Sequence, residues 1–260
     1  MKVLKKMMAL MLCLCALLPL AACAEGDDGA PMQNFVLEHG SREKKMVALT
    51  VDDCYYNRRE RIVEDVALCN QYGVHMTFFP VVKTGCLIEK CRDIWQSVVD
   101  AGCEIGCHGY QHMHLGSFDY WTLIKRLGRW QEELDKTLGY HYQARWLRAP
   151  GGTITGGRKL SAAKIESALK RYGYDHIVYW DVSENDPDKA LKLLEEGKIQ
   201  NGSILLYHTN KKDTRCMEVL IPALLEHGFE VVTLSELFGF DPPEISDELY
   251  VYDRANYEDK

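Results

Sequence analysis

The chain has 260 residues, 47% of them hydrophobic and 27% charged, with 20 glycines and only 8 prolines. Those proportions suit one globular domain with a full-sized core and exclude disorder, collagen and coiled coil. Basic side chains number 31 against 38 acidic ones, a formal charge of −7, so there is no basic field for a phosphate backbone and nucleic acid is not an expected partner.

Lys2, Lys5 and Lys6 precede an apolar run from Met7 to Leu20. The run is shorter than the roughly 20 residues that span a bilayer, and it has the form of a secretion signal. Leu20-Ala21-Ala22-Cys23 carries the small-residue spacing of a bacterial lipobox, which makes Cys23 the lipid anchor. An ordinary signal cut after Ala24 is the alternative. Both predict export, the first as a membrane-anchored lipoprotein on the cell surface and the second as a secreted protein. Residues 1–22 are then signal peptide, 23–44 a tether and N-terminal segment, 45–240 the folded domain, and 241–260 an acidic, loosely packed tail.

From Lys45 onward short apolar runs alternate with helical patterns. Met46 to Val51 reads as a strand, and Glu60 to Tyr72 as a helix with Ile62, Val66 and Cys69 on one stripe. Val74 to Val82 is a buried strand, Ile88 to Ala101 a helix stopped at Gly102, and Cys103 to Cys107 a third strand. The longest helix, Asp119 to Leu138, spaces Tyr120, Leu123, Leu127, Trp130, Leu134 and Leu138 by threes and fours for core packing, and Gly139 ends it. Further strands are predicted at Ala144 to Ala149, His176 to Val182, Ser203 to His208 and Glu230 to Thr233. Helices fall at Lys159 to Tyr172, Pro187 to Glu196 and Cys216 to His227. Seven strands, the first six each trailed by a helix over short connections, predict parallel pairing with right-handed crossovers, and the chain length favours a seven-stranded β/α barrel over an open sheet.

Of ten cysteines, Cys13 and Cys15 leave with the signal and Cys23 is the anchor. Seven remain, an odd number that cannot all pair internally. Cys86 with Cys91 and Cys103 with Cys107 are the sequence-local pairs, and an extended strand holds the second pair too far apart to bridge. No CxxC occurs, so a structural zinc ribbon is not expected.

In a parallel β/α barrel the chemistry sits where strands end. The first strand ends at Asp52-Asp53-Cys54, the third at His108-Gly109-Tyr110-Gln111-His112, the fourth at Arg148-Ala149-Pro150-Gly151-Gly152, and the sixth at Tyr207-His208, while the fifth leads into Asp181 and Asp186. Taken singly these are ordinary features: paired carboxylates serve turns and caps, and an H-x3-H pair arises by chance. Their placement together at the ends of apolar strands is hard to obtain from packing alone. His108 and His112, one helical turn apart, suit a single ion. One carboxylate of the Asp52-Asp53 pair completes a catalytic zinc-type site with room for water, and the other is placed to take that water's proton. A histidine from the opposite side protonates the leaving group, and Arg148 pairs with the base carboxylate.

The ordered motifs Thr50-Val51-Asp52-Asp53, His108-x-x-x-His112, Arg148-x-Pro150-x-Gly152, Asp186 and Leu206-x-His208 resemble those of the polysaccharide deacetylase family, the NodB-homology domain of carbohydrate esterases, over about Val47 to Leu237. The resemblance implies a distorted seven-stranded β/α barrel that removes acetyl groups from sugars with a divalent metal, zinc first. It makes Asp52 the general base, and Asp53, His108 and His112 the metal ligands. It makes His208 the general acid, Arg148 the residue positioning Asp52, Asp186 the partner orienting His208, and the Gly151 N–H a donor to the oxyanion. The implied partner is an acetylated polysaccharide, with N-acetylated cell-envelope glycan of the peptidoglycan N-acetylglucosamine type first. An O-acetyl esterase acting on xylan-like polysaccharide and a non-catalytic glycan-binding lipoprotein are the alternatives. The chain departs from the family pattern at Val51 (Phe), Cys54 (Gly), Gly109 (Ser or Thr), Gly151 (aromatic) and Pro187 (Trp), which bears on substrate more than on reaction. Cys54 is read as a soft fourth ligand or oxidisable thiol against a buried bystander. His114 competes as a ligand through His112-x-His114 with poorer spacing, and Tyr55, Tyr56 and Tyr110 are candidates to stack on sugar rings.

Overall fold

A computed structural model describes residues 35–252 except 155, 158 and 175. The predicted signal segment, Cys23 and the predicted tether as far as residue 34 lie outside the described residues. In chain order the elements are β1 (Val36–Leu37), β2 (Met46–Asp53), α1 (Arg59–Tyr72), β3 (Met76–Pro80), α2 (Arg92–Asp100), β4 (Glu104–Ile105), α3 (Tyr120–Leu138), β5 (His141–Tyr142) and β6 (Trp146–Leu147). There follow α4 (Ala162–Lys170), β7 (His176–Val178), α5 (Pro187–Glu195), β8 (Ile204–His208), α6 (Lys211–Glu226), β9 (Glu230–Val232), α7 (Leu234–Phe238) and β10 (Ile245–Ser246). All seven predicted strands are present, as β2, β3, β4, β6, β7, β8 and β9.

β2 is the axis of the fold. Val47 to Val51 are wholly buried, the near-continuous burial expected of a parallel strand covered on both faces. It pairs in parallel with β3 on one edge, and with β8 and β9 on the other. β4 extends the sheet beyond β3, and β1, β7 and β6 form a second parallel sheet. Single parallel bridges, Cys107 to Leu147 and Val182 to Leu205, join the two sheets at both seams. The result is a distorted β/α barrel. Ala48, Phe79, Trp146, Val178 and Ile204 fill its interior beside Val232 and the short α7, and the larger core lies between the strands and the outer helices.

Register positions the chemistry. Asp52 lies directly beside His208 across the β2–β8 pair and beside Phe79 across β2–β3. Because side chains alternate along a strand, Ala48, Thr50 and Asp52 share the inner face, and Asp53 by the same rule belongs with Val51 on the outer one. The backbone breaks that rule: Asp53 and Cys54 take positive φ angles of 70° and 48°, a left-handed pair that non-glycine residues adopt only when the surroundings hold them. Both carboxylates thereby reach the same mouth of the barrel.

Three expectations are corrected. Helix α6 begins at Lys211, five residues before the predicted Cys216, because the Asn210 side chain accepts from the N–H groups of Lys212 and Asp213 and caps it. A helix absent from the sequence reading, α7, is nucleated by a capping box between Thr233 and Glu236. The tail expected to be loose is docked through residue 252: β10 pairs antiparallel with β5, the Tyr250 N–H donates to Asp135, and Tyr252 is buried against Gly128 on α3. Replacing Tyr252 with Ala empties that site and is expected to cost about 3 kcal/mol in urea unfolding. A loose tail gives no change.

Candidate active site

Arg148 leaves the end of β6 and is fully buried. Its Nη1 donates to Asp52 Oδ1 at 2.9 Å and to Thr50 Oγ1 at 2.7 Å, Nε donates to the Val178 carbonyl at 3.2 Å, and Nη2 to the Tyr179 carbonyl at 3.0 Å. Its face lies over the Phe79 ring, 4.5 Å from the centroid. The guanidinium thus occupies Oδ1 of Asp52 and leaves Oδ2 turned toward His108, whose Nε2 is 3.8 Å away.

His108 follows β4 and is buried. Its Nδ1 lies 2.9 Å from the Arg148 carbonyl. A carbonyl only accepts, so Nδ1 carries the hydrogen and Nε2 of the neutral ring presents a lone pair. Burial holds this ring below the usual imidazole range, against the pull of Asp52 and Asp53. Asp53 Oδ1 sits 3.7 Å from His108 Nε2 and 3.6 Å from Nε2 of His112, which is on the exposed side. Both separations exceed a hydrogen bond.

Asp53, His108 and His112 each present a ligand atom, all within 4.8 Å of one another, and Asp53 Oδ1 is buried with no hydrogen-bond partner. An orphaned carboxylate oxygen facing an imidazole lone pair is a site that a cation satisfies. Separations of 3.6 and 3.7 Å are near the roughly 3.4 Å that ligand atoms about 2.1 Å from a tetrahedral zinc would show. The residues therefore fit a divalent metal.

His208 ends β8. Its Nδ1 is 3.5 Å from Asp213 Oδ2, and its own N–H donates to that oxygen at 2.6 Å. Asp213 Oδ1 accepts from Asn185. The Asp213 hydrogen bond raises the His208 pKa above the usual value, burial opposes the rise, and Asp52 and Asp53 add to it. Burial alone would push Asp213 up, but hydrogen bonds from His208, Asn210 and Asn185 outweigh that and hold it low.

Asp186 is therefore not the residue in contact with His208. It caps α5, its side chain accepting from the Lys189 N–H at 3.2 Å, while Asp213 takes the place expected of it. The reason is local: Asp186-Pro187 makes a helix start, and the early start of α6 brings Asp213 onto the first turn below His208. An Asn-x-x-Asp spacing at Asn210 was the available signal for that cap. Asp181 also turns away from the mouth, accepting from Arg42, Ser203 and the Ile204 N–H.

Gly151 lies in the turn Pro150–Gly152 with φ of 75°, and Gly109 beside His108 has φ of 83°. A Cβ on Gly151 would stand 2.4 Å from Cε1 of His114, whose Nδ1 meets the Pro150 carbonyl at 3.1 Å. His114 thus packs on this turn and is outside the ligand cluster. Cys54 is also outside it: its thiol is buried against the Val51 carbonyl at 3.8 Å, and burial, then Cys86, pushes it well above the usual thiol range. Tyr55 does stand at the mouth, where burial and the neighbouring Asp53 carboxylate raise its phenol.

A buried arginine–carboxylate pair, a carboxylate oxygen facing two imidazoles and a histidine held by a separate aspartate all meet at the mouth of the β/α barrel, and these are the parts that metal-assisted hydrolysis uses. The chain matches the family model described as polysaccharide deacetylase over residues 39–177, more than half its length, and belongs to that family. It is 26% identical over 203 residues to the uncharacterized protein YlxY of Bacillus subtilis (strain 168), covering 76% of this chain and 59% of that one. It is 24% identical over 199 residues to the peptidoglycan-N-acetylmuramic acid deacetylase PdaC of the same organism, covering 75% of this chain and 39% of that one. The chain thus spans about three fifths and two fifths of these relatives. Among solved structures, BA3943 of Bacillus anthracis, a CE4 family pseudoenzyme, shares the fold with a TM-score of 0.66 at 22% identity, over 81% of this chain and 70% of that one.

The two aspartates are separable by experiment. In a side-chain NMR titration, Asp213→Asn is expected to move the His208 pKa downward, since the main interaction raising it is lost, and Asp186→Asn to leave it in place. An equal effect of both, or the reverse, would refute the assignment of Asp213.

Proposed function

We propose that this protein is a metal-dependent hydrolase that removes acetyl groups from an N-acetylated cell-envelope polysaccharide, with peptidoglycan-type N-acetylglucosamine the first substrate to test. The observation that carries the reading is the unsatisfied buried Asp53 Oδ1 beside His108 and His112. Asp53, His108 and His112 would hold the cation, most readily zinc given one carboxylate and two imidazoles. When bound, that cation supplies Lewis acidity, which makes water nucleophilic near neutral pH and steadies charge on the carbonyl oxygen.

The remaining steps belong to the chain. Arg148 fixes Asp52 through Oδ1, so Oδ2 is the oxygen left to accept a proton from the attacking water. Asp213 holds His208 by Nδ1, which directs Nε2 and its proton toward the departing amine. The raised His208 pKa keeps that proton in place to a higher pH than in an ordinary histidine. The Gly151 N–H, on the turn after Arg148, is the donor assigned to the oxyanion.

Kinship with PdaC, a peptidoglycan-N-acetylmuramic acid deacetylase, supports an envelope glycan as substrate, and the lipobox ending in Cys23 supports attachment of the exported protein to the membrane that carries it. A non-catalytic glycan-binding role is favoured by the likeness to the BA3943 pseudoenzyme; retention of both aspartates of β2 and of His208 in this chain weighs against it.

Bound metal and released acetate, measured on the full chain, test the reading. His112→Ala is expected to lose both. Asp52→Asn is expected to keep metal while slowing turnover by about 100-fold or more. Acetylated chitooligomers and acetylxylan, offered in parallel, separate amide from ester hydrolysis. Glycan binding with no acetate from either, in the metal-loaded wild type, would favour the non-catalytic reading.

A further inference from the structure

Two buried thiols lie outside the site. Cys69, in the last turn of α1, and Cys103, just before β4, are 1% and 5% exposed, and their sulfurs are 3.5 Å apart. The two sulfurs share one hydrogen bond, and the Met76 N–H donates to Cys103 Sγ, also at 3.5 Å. The Met76 N–H aimed at its sulfur stabilises a thiolate on Cys103, which makes Cys103 the nucleophile of the pair.

The backbone on both sides is fixed. The Val74 N–H donates to the Cys69 carbonyl at 3.1 Å, and the Cys103 N–H to the Val98 carbonyl at 3.1 Å. Cys69 borders a surface cavity of about 340 Å³ and Cys103 one of about 270 Å³, with Gly102 lining both, so a small reagent has an approach. Closing the sulfurs to the roughly 2 Å of a disulfide needs a shift of about 1.5 Å, which side-chain rotation can share between the two residues. The mechanism uses neither residue: Cys103 precedes β4, whereas His108 follows it.

We propose that Cys69 and Cys103 form an oxidation site that closes to an intramolecular disulfide, stapling the end of α1 to the entry of β4. With a disulfide oxidant such as oxidised glutathione, the Cys103 thiolate attacks one sulfur and expels the other half as a thiolate, leaving a mixed disulfide on Cys103. The expelled thiolate takes the Cys69 proton. Cys69 then attacks the Cys103 sulfur and displaces the second glutathione, which gains a proton from solvent to leave as a thiol. Counting the proton that Cys103 loses to solvent on ionising, the protein gives up two electrons and two protons, and the oxidant is reduced to two thiols. The bridge spans a segment containing β3 and α2, and so limits the unfolded chain.

The full-length chain, treated with oxidised glutathione, alkylated after unfolding and digested without reductant, tests this by peptide mapping. A peptide joining Cys69 to Cys103 is expected, with Cys54, Cys86, Cys91, Cys107 and Cys216 alkylated, together with a Tm rise of about 5–10 °C that dithiothreitol reverses. Cys69→Ala is expected to stop at the mixed disulfide, with one glutathione on Cys103 and no Tm rise. Alkylation of both cysteines in the oxidised wild type, or pairing of either with another cysteine, would overturn the proposal. Mapping the unmutated chain makes the outcome independent of how the variant folds, and acetate release plays no part in it.

Discussion

A guanidinium with no exposure to solvent is the constraint on which the site depends. Four hydrogen bonds tie Arg148 to β2 through Thr50 and Asp52, and to the chain at β7 through the carbonyls of Val178 and Tyr179. Its own carbonyl, in turn, fixes the tautomer of His108. One residue therefore couples the proposed base, a proposed metal ligand and three strands. Leaving Asp52 without that partner would strand a buried charge, which costs about 3–5 kcal/mol where such pairs have been broken. A buried pair of this kind adds little net stability, since the desolvation of two ions offsets most of their attraction.

Around that pair, three carboxylates at the barrel mouth are given three different surroundings. Asp52 is charge-paired, with one oxygen left over. Asp53 has a buried oxygen that no donor reaches. Asp213 is satisfied by the backbone and ring of His208 and by Asn185. Acidic groups placed this close repel unless each has its own cation or donor. The arrangement supplies an arginine to the first and a histidine to the third, and leaves one oxygen of the second unpaired, the feature on which the proposed cation site rests. The backbone strain at Asp53 and Cys54 is the local cost of bringing Asp52 and Asp53 to one spot from adjacent positions on a strand.

The strands and the metal-type cluster were legible because both follow from short-range rules. Buried parallel strands read as apolar runs, and barrel geometry puts functional side chains at their ends. Asp213 was not legible, because the cap that starts α6 at Lys211 sits in a polar stretch without hydrophobic periodicity, while Asp186 drew its expected role from the family resemblance. The docking of Tyr252 and the Cys69–Cys103 contact were hidden for another reason. Each joins segments far apart in sequence, and no local pattern marks which cysteine faces which.

The glycines at 109 and 151 both have positive φ, but only the second is crowded: a Cβ on Gly109 would make ordinary contact 3.6 Å from Pro150 Cγ, whereas one on Gly151 would overlap the His114 ring. A further Cβ on Gly156 would stand 2.6 Å from the same ring. The imidazole is thus slotted between two glycines and tied to the Pro150 carbonyl. On the other side of the turn, the Trp180 ring lies 3.0 Å from where a Gly152 Cβ would be, and its centroid is 5.6 Å from the Arg148 guanidinium. Aromatic surface beside the Pro150–Gly152 turn is therefore supplied from two neighbouring segments instead of from position 151. Restoring a side chain there would require His114 to leave its slot and the backbone to abandon a left-handed conformation, so the ring and the glycine have to change together.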